Sequence, residues 1–204
     1  MFPIIQGNIY PDFRKKSLEE LIPLASKGIA IGGLAVGEEK SSMMEMIALC
    51  NEYLPIEQPR YLMGIGRPND IVKAVSLGMD MFDCVIPTRN GRNGHIFTED
   101  GIINIKNSKY KSDFSPIDAN STSPIGEQFS KSYVRHLFNI NEILGIRIAS
   151  TLNIAFFMKL MSTIRSEIES ETFDIWSRSY FKKWLDWIKL KKQYSNKYNC
   201  KFKY

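Results

Sequence analysis

With 204 residues, 44% of them apolar, the chain can bury a core, which excludes an intrinsically disordered protein. No run approaches the ~20 apolar residues of a membrane span, and the opening MFPIIQGNIY lacks the basic and apolar regions of a signal peptide. Three widely spaced cysteines (Cys50, Cys84, Cys200) argue against a disulfide framework and a zinc knuckle and suit a reducing cytoplasm, while the charge is uneven: residues 181–204 hold eight lysines against one aspartate, +7, leaving −2 for the rest. Such a tail suits either contact with nucleic acid or plain solvation.

PIIQG reads as a short strand ending in glycine. Ser17, with Glu20 three residues on, has the form of a capping box and is expected to open a helix with Leu18, Leu21, Ile22 and Ala25 on its apolar face. Pro23 predicts a kink or early break in it. IAIGG is the second strand. In SMMEMIALCNEYLP, Met43, Met46, Ile47 and Cys50 recur at helical spacing before Pro55 halts the run. RYLMG is the third strand. A short helix starts at Pro68, a first-turn position that proline tolerates, and ends near Gly78. MFDCVI is the fourth strand, closed by Pro87.

This alternation predicts an α/β fold with a parallel sheet, either doubly wound or part of a (β/α)8 barrel. GIGRPN has Asn69 where the last glycine of a dinucleotide fingerprint belongs, and no Walker-type loop occurs. Further on, HIFTEDGIINIKN predicts a β-hairpin turning at Asp100-Gly101. A polar loop, SPIDANSTSPIGEQ, leads to three helical stretches: SYVRHLFNINEILGIRIAS, NIAFFMKLMSTIRSEI and FDIWSRSYFKKWLDWIKL. In the second, Ile154, Phe157, Met158, Met161 and Ile168 form an apolar stripe expected to be core.

Four strands end in residues able to recognise or react: Gln6-Gly7, Gly32-Gly33-Leu34, Met63-Gly64 and Asp83-Cys84. Each alone has a structural reading. Together they suit a planar nucleobase. Gln6 can donate to and accept from a base edge, glycine admits a ring close to backbone, and Met63 can lie on a ring face. Asp83 is the one carboxylate placed to act as a nucleophile. The loops add cationic clamps. GIGRPND puts Arg67 before a helix start, and TRNGRNG puts Arg89 and Arg92 three apart in a loop, suiting phosphates of a polynucleotide.

FPIIQG, IGGLAVGE, YLMGIG and GMDMFDCVIPTRNGRNG closely resemble the queuine (bacterial-type) tRNA-guanine transglycosylases. INIKNSKYKSDFSPID and YVRHLFNINEILGIRIASTLNIAFF continue the likeness to the lysine tail. The resemblance implies a (β/α)8 barrel with a small C-terminal subdomain. It implies exchange of the wobble guanine of tRNA for a 7-deazaguanine, queuine or its aminomethyl precursor, in queuosine biosynthesis, and a cytoplasmic enzyme. By the same likeness, Asp83 is the nucleophile. Gln6, Gly32, Gly33, Leu34 and Met63 bind the base. Gly64, Ile65, Gly66, Arg67, Pro68, Asn69 and Asp70, with Thr88, Arg89, Asn90, Gly91 and Arg92, contact RNA.

Two departures from the family stand out. Its members carry four more βα units before FPIIQG, with a general acid/base Asp and a second Asp that reads the purine's amino edge. Neither has a counterpart here. The expectation is a chain that works with a complementing N-terminal half or in a homo-oligomer, or else an inactive remnant. A non-catalytic tRNA-binding partner subunit is the alternative, against which Asp83 speaks. Second, the family's zinc ligands fall on Ser121, Ser123, Gly126 and Leu152, so no cofactor is expected. Phe129, Leu137 and Leu152 would hold that subdomain by apolar packing, and His95 and His136 are read as structural. On this basis residues 1–106 form the C-terminal half of a barrel with a hairpin insertion, 107–190 a helical subdomain, and 191–204 a basic tail.

Overall fold

Four strand–helix steps open the chain in the computed structural model, which describes residues 1–198, the last of them (186–198) by backbone alone. Cys200 and the end of the lysine tail lie outside the described residues. The elements run β1 (Ile4–Ile5), α1 (Pro11–Leu21), β2 (Ile29–Ile31), α2 (Lys40–Tyr53), β3 (Arg60–Leu62), α3 (Pro68–Ser76) and β4 (Met81–Phe82). The sheet is parallel throughout, in the order β1-β2-β3-β4. Ile5, Ile29, Ile31 and Leu62 in the strands are fully buried, together with Leu18, Ile47, Cys50 and Val72 from the helices. Continuous apolar strands covered by helices are what a parallel sheet requires.

Helix α2 buries Met43, Met46, Ile47 and Cys50, the four positions its periodicity predicts. Helix α3 starts at Pro68 as expected. Helix α1 corrects the sequence reading: it begins at Pro11, not Ser17, and Ser17 sits inside it. Proline at the first helical position supplies the preset φ that starts a helix without a side-chain cap. The predicted break at Pro23 is present, as a 3-10 turn at Ile22–Leu24.

The chain divides into two compact units between Ile86 and Pro87. The sequence reading drew that line after residue 106, because the hairpin directly follows the last strand. Instead the hairpin, β5 (His95–Thr98) and β6 (Gly101–Asn104), belongs with the helices that follow. Its turn residues are Glu99 and Asp100, one step earlier than predicted, since Thr98 pairs with Gly101.

Helix α4 (Ile86–Arg92) precedes the hairpin, and α5 (Ile125–Gln128), α6 (Lys131–Asn139), α7 (Ile143–Glu169) and α8 (Phe173–Tyr198) follow it. Ile96, Ile105, Tyr110, Ile117, Val134, Leu137, Phe138, Ile148, Ala149 and Leu152 make one buried cluster, with Phe129 packed against it. The predicted stripe on α7 is corrected in part: Phe157 is buried as expected. Ile154, Met158 and Ile168 are 47%, 60% and 49% exposed, and the buried face carries Ile148, Leu152, Asn153, Phe157, Leu160 and Ile164. Helical periodicity cannot choose between two neighbouring stripes when both are apolar. Helix α7 corrects the reading that no run approaches a membrane span: it is long and apolar enough to cross one by length and composition, a property core helices share.

Candidate active site

The register of the sheet brings the chemistry to one line. Ile5 pairs with Ile31, Ile31 with Leu62, and Leu62 with Phe82. The next residue of each strand is therefore Gln6, Gly32, Met63 and Asp83, side by side at the C-terminal ends. In an open parallel α/β sheet this end is where ligands bind.

Asp83 is exposed, and its carboxylate is held. Oδ1 accepts a hydrogen bond from the Gly64 backbone N–H at 2.9 Å and from the Tyr61 hydroxyl at 2.7 Å. Gly64 has φ +76°, the left-handed region that glycine enters without a Cβ clash, so the turn after β3 can aim its N–H at the acid. The Gly64 N–H, then the Tyr61 hydroxyl, lower the Asp83 pKa from its ordinary value, outweighing the small effect of burial. Asp83 is thus ionised at neutral pH without a base beside it. The same bond raises the Tyr61 pKa.

Gln6 lies over the glycine pair. A Cβ on Gly32 would meet Gln6 Nε2 at 2.8 Å, and one on Gly33 would meet Gln6 Oε1 at 2.7 Å. Gly33 also has φ +64°. Any side chain there would displace the amide. Ser17, predicted as a cap, instead accepts the Gln6 backbone N–H at 3.1 Å. Leu34 is buried and Met63 half-buried, Met63 donating its N–H to Ile31 O at 3.1 Å. Glu38 accepts from the backbone N–H groups of Ala35 and of Val36, the latter at 3.0 Å, which fixes the loop after Gly33.

Of the loop residues expected to meet RNA, Gly64 and Arg67 are exposed, while Ile65, Gly66 and Pro68 are buried and Asn69 and Asp70 half-buried. Gly66 is packed so closely that a Cβ on it would stand 1.8 Å from Cys84 Sγ and 2.3 Å from Cys84 Cβ. Asp70 is committed to Lys40, with Nζ to Oδ1 at 2.6 Å and Oδ2 at 2.8 Å.

Thr88, Arg89, Asn90, Gly91 and Arg92 form not a loop but most of α4. The sequence reading took Pro, Gly and Asn as loop formers. Pro87 falls in the first turn, where its missing N–H costs nothing. Gly91 lies against α7, where a Cβ would meet Ser150 Oγ at 2.6 Å and Ser150 backbone at 2.8 Å. The fully buried Asn153 ties α4, the hairpin and α7 together. Its Nδ2 donates to Pro87 O at 2.8 Å and His95 O at 2.9 Å, and its Oδ1 accepts from the Phe97 N–H at 2.8 Å. Arg89 and Arg92 are both exposed, and a spacing of three makes them neighbours on a helix surface.

Ser121, Ser123, Gly126 and Leu152, where the resemblance would put zinc ligands, do not fit a zinc ion. Serine and leucine supply no thiolate or imidazole. Ser121 Oγ accepts the Ser123 N–H at 3.2 Å, and Gly126 donates its N–H to Ser123 O at 3.0 Å. A Cβ at 126 would lie 2.2 Å from Asp118 O, and Leu152 is sealed in the apolar cluster.

The queuine tRNA-ribosyltransferase family model matches residues 1–186. The chain belongs to that family. It is 45% identical over 181 residues to the queuine tRNA-ribosyltransferase of Mannheimia succiniciproducens, covering 89% of this chain and 48% of that protein. The corresponding protein of Buchnera aphidicola subsp. Acyrthosiphon pisum is 46% identical over 182 residues, 89% of this chain and 49% of its own length. That of Haemophilus ducreyi is 45% identical over 174 residues, 85% and 46% respectively. The chain spans about half the length of the curated relatives it matches. Membership of the queuine tRNA-ribosyltransferase family gives the mixed α/β fold and the strand-end row a common setting.

Residues that sequence reasoning missed were partly legible. Tyr61 lies two residues before Met63, hence on the same face of a strand. Arg14 lies four before Leu18, on the apolar side of α1, and was masked by the solvated look of FRKKS.

Proposed function

We propose that this chain supplies the nucleophilic half of a tRNA-guanine transglycosylase. It would exchange the wobble guanine of tRNA for a 7-deazaguanine, queuine or its aminomethyl precursor. The observation that carries this reading is the exposed, ionised Asp83 on a row with Gln6, Gly32 and Met63. A carboxylate oxygen of Asp83 attacks C1′ of the ribose, and the C1′–N9 bond electrons leave with guanine, which takes up a proton. The incoming base then attacks C1′ from the face guanine left, loses its own proton and frees Asp83, as in a retaining glycosidase. The target base is turned out of its stack, as single-stranded RNA loops allow.

In this reading Gln6, Gly32, Gly33, Leu34 and Met63 hold the base. Gly64–Asp70 and Thr88–Arg92 follow the anticodon-loop backbone, Arg67, Arg89 and Arg92 through phosphates. The four parallel strands form half of a (β/α)8 barrel, completed by the part of the family's length that this chain does not span, on the same or a second polypeptide. That part supplies the general acid/base and the contact to the purine's amino edge. The second unit stands without zinc, on apolar packing, and the protein works in the cytoplasm.

The test is covalent trapping. With the rest of the family's length present, wild-type protein and tRNA should give a complex that survives denaturation, and Asp83→Asn should give none while still binding tRNA. A covalent complex formed by Asp83→Asn, or none formed by wild type, would sink the proposal.

A further inference from the structure

We infer that Arg14 is a positioning residue for the purine: it fixes the peptide planes at the ends of β1 and β2. The inference rests on the exchange reading above. Arg14 is fully buried on α1, although it carries a charge. Gly7 makes this approach possible, since at φ +131° a Cβ there would stand 2.6 Å from Arg14 N.

Four backbone carbonyls of the site accept from it, and the Cys50 thiol lies beside it as a further side-chain partner. Nε donates to Asn8 O at 2.8 Å, Nη1 to Gly32 O at 3.0 Å and Ile5 O at 3.4 Å, and Nη2 to Gly33 O at 3.3 Å. No carboxylate pairs with it among the described residues. Burying a guanidinium without a carboxylate partner is costly. Here the fork joins two strand ends at once, which a single N–H cannot do.

The consequence lies in the peptide planes. In a trans peptide the C=O and the following N–H point in opposite directions. With the carbonyls of Gly32 and Gly33 turned to the guanidinium, the N–H groups of Gly33 and Leu34 are turned away from it. Neither N–H has an acceptor among the described residues. The Gln6 amide lies against the same two glycines. Two backbone donors and one amide would thus be on offer to the acceptor edge of a planar heterocycle. Consecutive glycines have no Cβ to restrict them, so the restriction must come from elsewhere. Arg14 provides it.

Guanine exchange is measured with the rest of the family's length present. Arg14→Lys keeps the charge and removes the fork, and Arg14→Gln serves if the lysine variant does not fold. KM for guanine should rise about tenfold or more, while kcat and KM for tRNA stay within about twofold. A general loss of structure would weaken guanine and tRNA alike, so equal losses, or an unchanged KM for guanine, overturn the inference. If wild type shows no exchange, the exchange reading fails by itself. Amide hydrogen exchange over residues 31–35 then decides for Arg14: faster exchange in the variant upholds it, and wild-type rates overturn it.

Discussion

The two units fix their exposed groups by opposite means. In the first, polar groups are built into the ends of the sheet: Arg14 on four carbonyls, Tyr61 and Gly64 on Asp83, Ser17 on Gln6, and Glu38 on the loop after Gly33. In the second, an apolar cluster does most of the holding, and one buried amide, Asn153, ties α4 to the hairpin and α7. The contrast has a physical basis. A reacting group must keep its surface free, so it is fixed from behind by hydrogen bonds. A helix that only presents exposed arginines can be fixed by its buried side. Chemistry and stability should therefore be separable in the first unit and inseparable in the second.

The sharpest break of this contrast is Asp83→Asn. Exchange should fall by at least about 10³-fold, while the urea midpoint stays that of wild type, because the exposed side chain adds little to the fold. A large loss of stability would show that Asp83 is structural. Next comes Asn153→Ala, which leaves the Phe97 N–H and the carbonyls of Pro87 and His95 without their partner. A loss of about 3 kcal/mol in urea unfolding is expected, with weaker tRNA binding following from it. Wild-type stability would mean that the apolar cluster alone holds α4.

A smaller effect is expected from Tyr61→Phe. The Tyr61 hydroxyl is the second cause of the low Asp83 pKa, so its removal lets that pKa rise toward the ordinary carboxylate value. The ionised fraction then falls first in acid. The acid limb of the exchange rate should move to higher pH, with rates at neutral pH and above nearly unchanged. The sign for folding is the same. Asp83 is depressed in the folded chain, so its contribution is present above the unfolded pKa and fades as pH falls through the folded one. A limb that stays in place would assign the whole effect to Gly64. The smallest effect is zero: chelation should leave the thermal midpoint of the second unit unchanged, and elemental analysis should find no stoichiometric zinc. A chelator that lowers the midpoint would overturn the apolar account of that unit.

Much of this was legible in the residues. The parallel sheet, α2 and α3 follow from apolar spacing and from Pro68, and the row of Gln6, Gly32, Met63 and Asp83 follows from where apolar runs stop. Helix α4 was not legible, because Pro87, Asn90 and Gly91 carry loop propensity and only packing against Ser150 explains the glycine. The α7 stripe was misplaced because its two candidate faces are equally apolar. Ser17 was misread because its hydroxyl serves a residue eleven positions earlier in the chain. Arg14 was hidden since a buried cation with carbonyl partners leaves no charge pattern in sequence.

One close contact bears on how this chain can change over time. The space a side chain at Gly66 would need is already filled by both Sγ and Cβ of Cys84. Shortening Cys84 to alanine would not free it, since the Cβ remains. The two positions are therefore coupled: a side chain at residue 66 requires Cys84, next to Asp83, to move or to shrink. Drift in the loop after β3 is gated by the chain neighbour of Asp83.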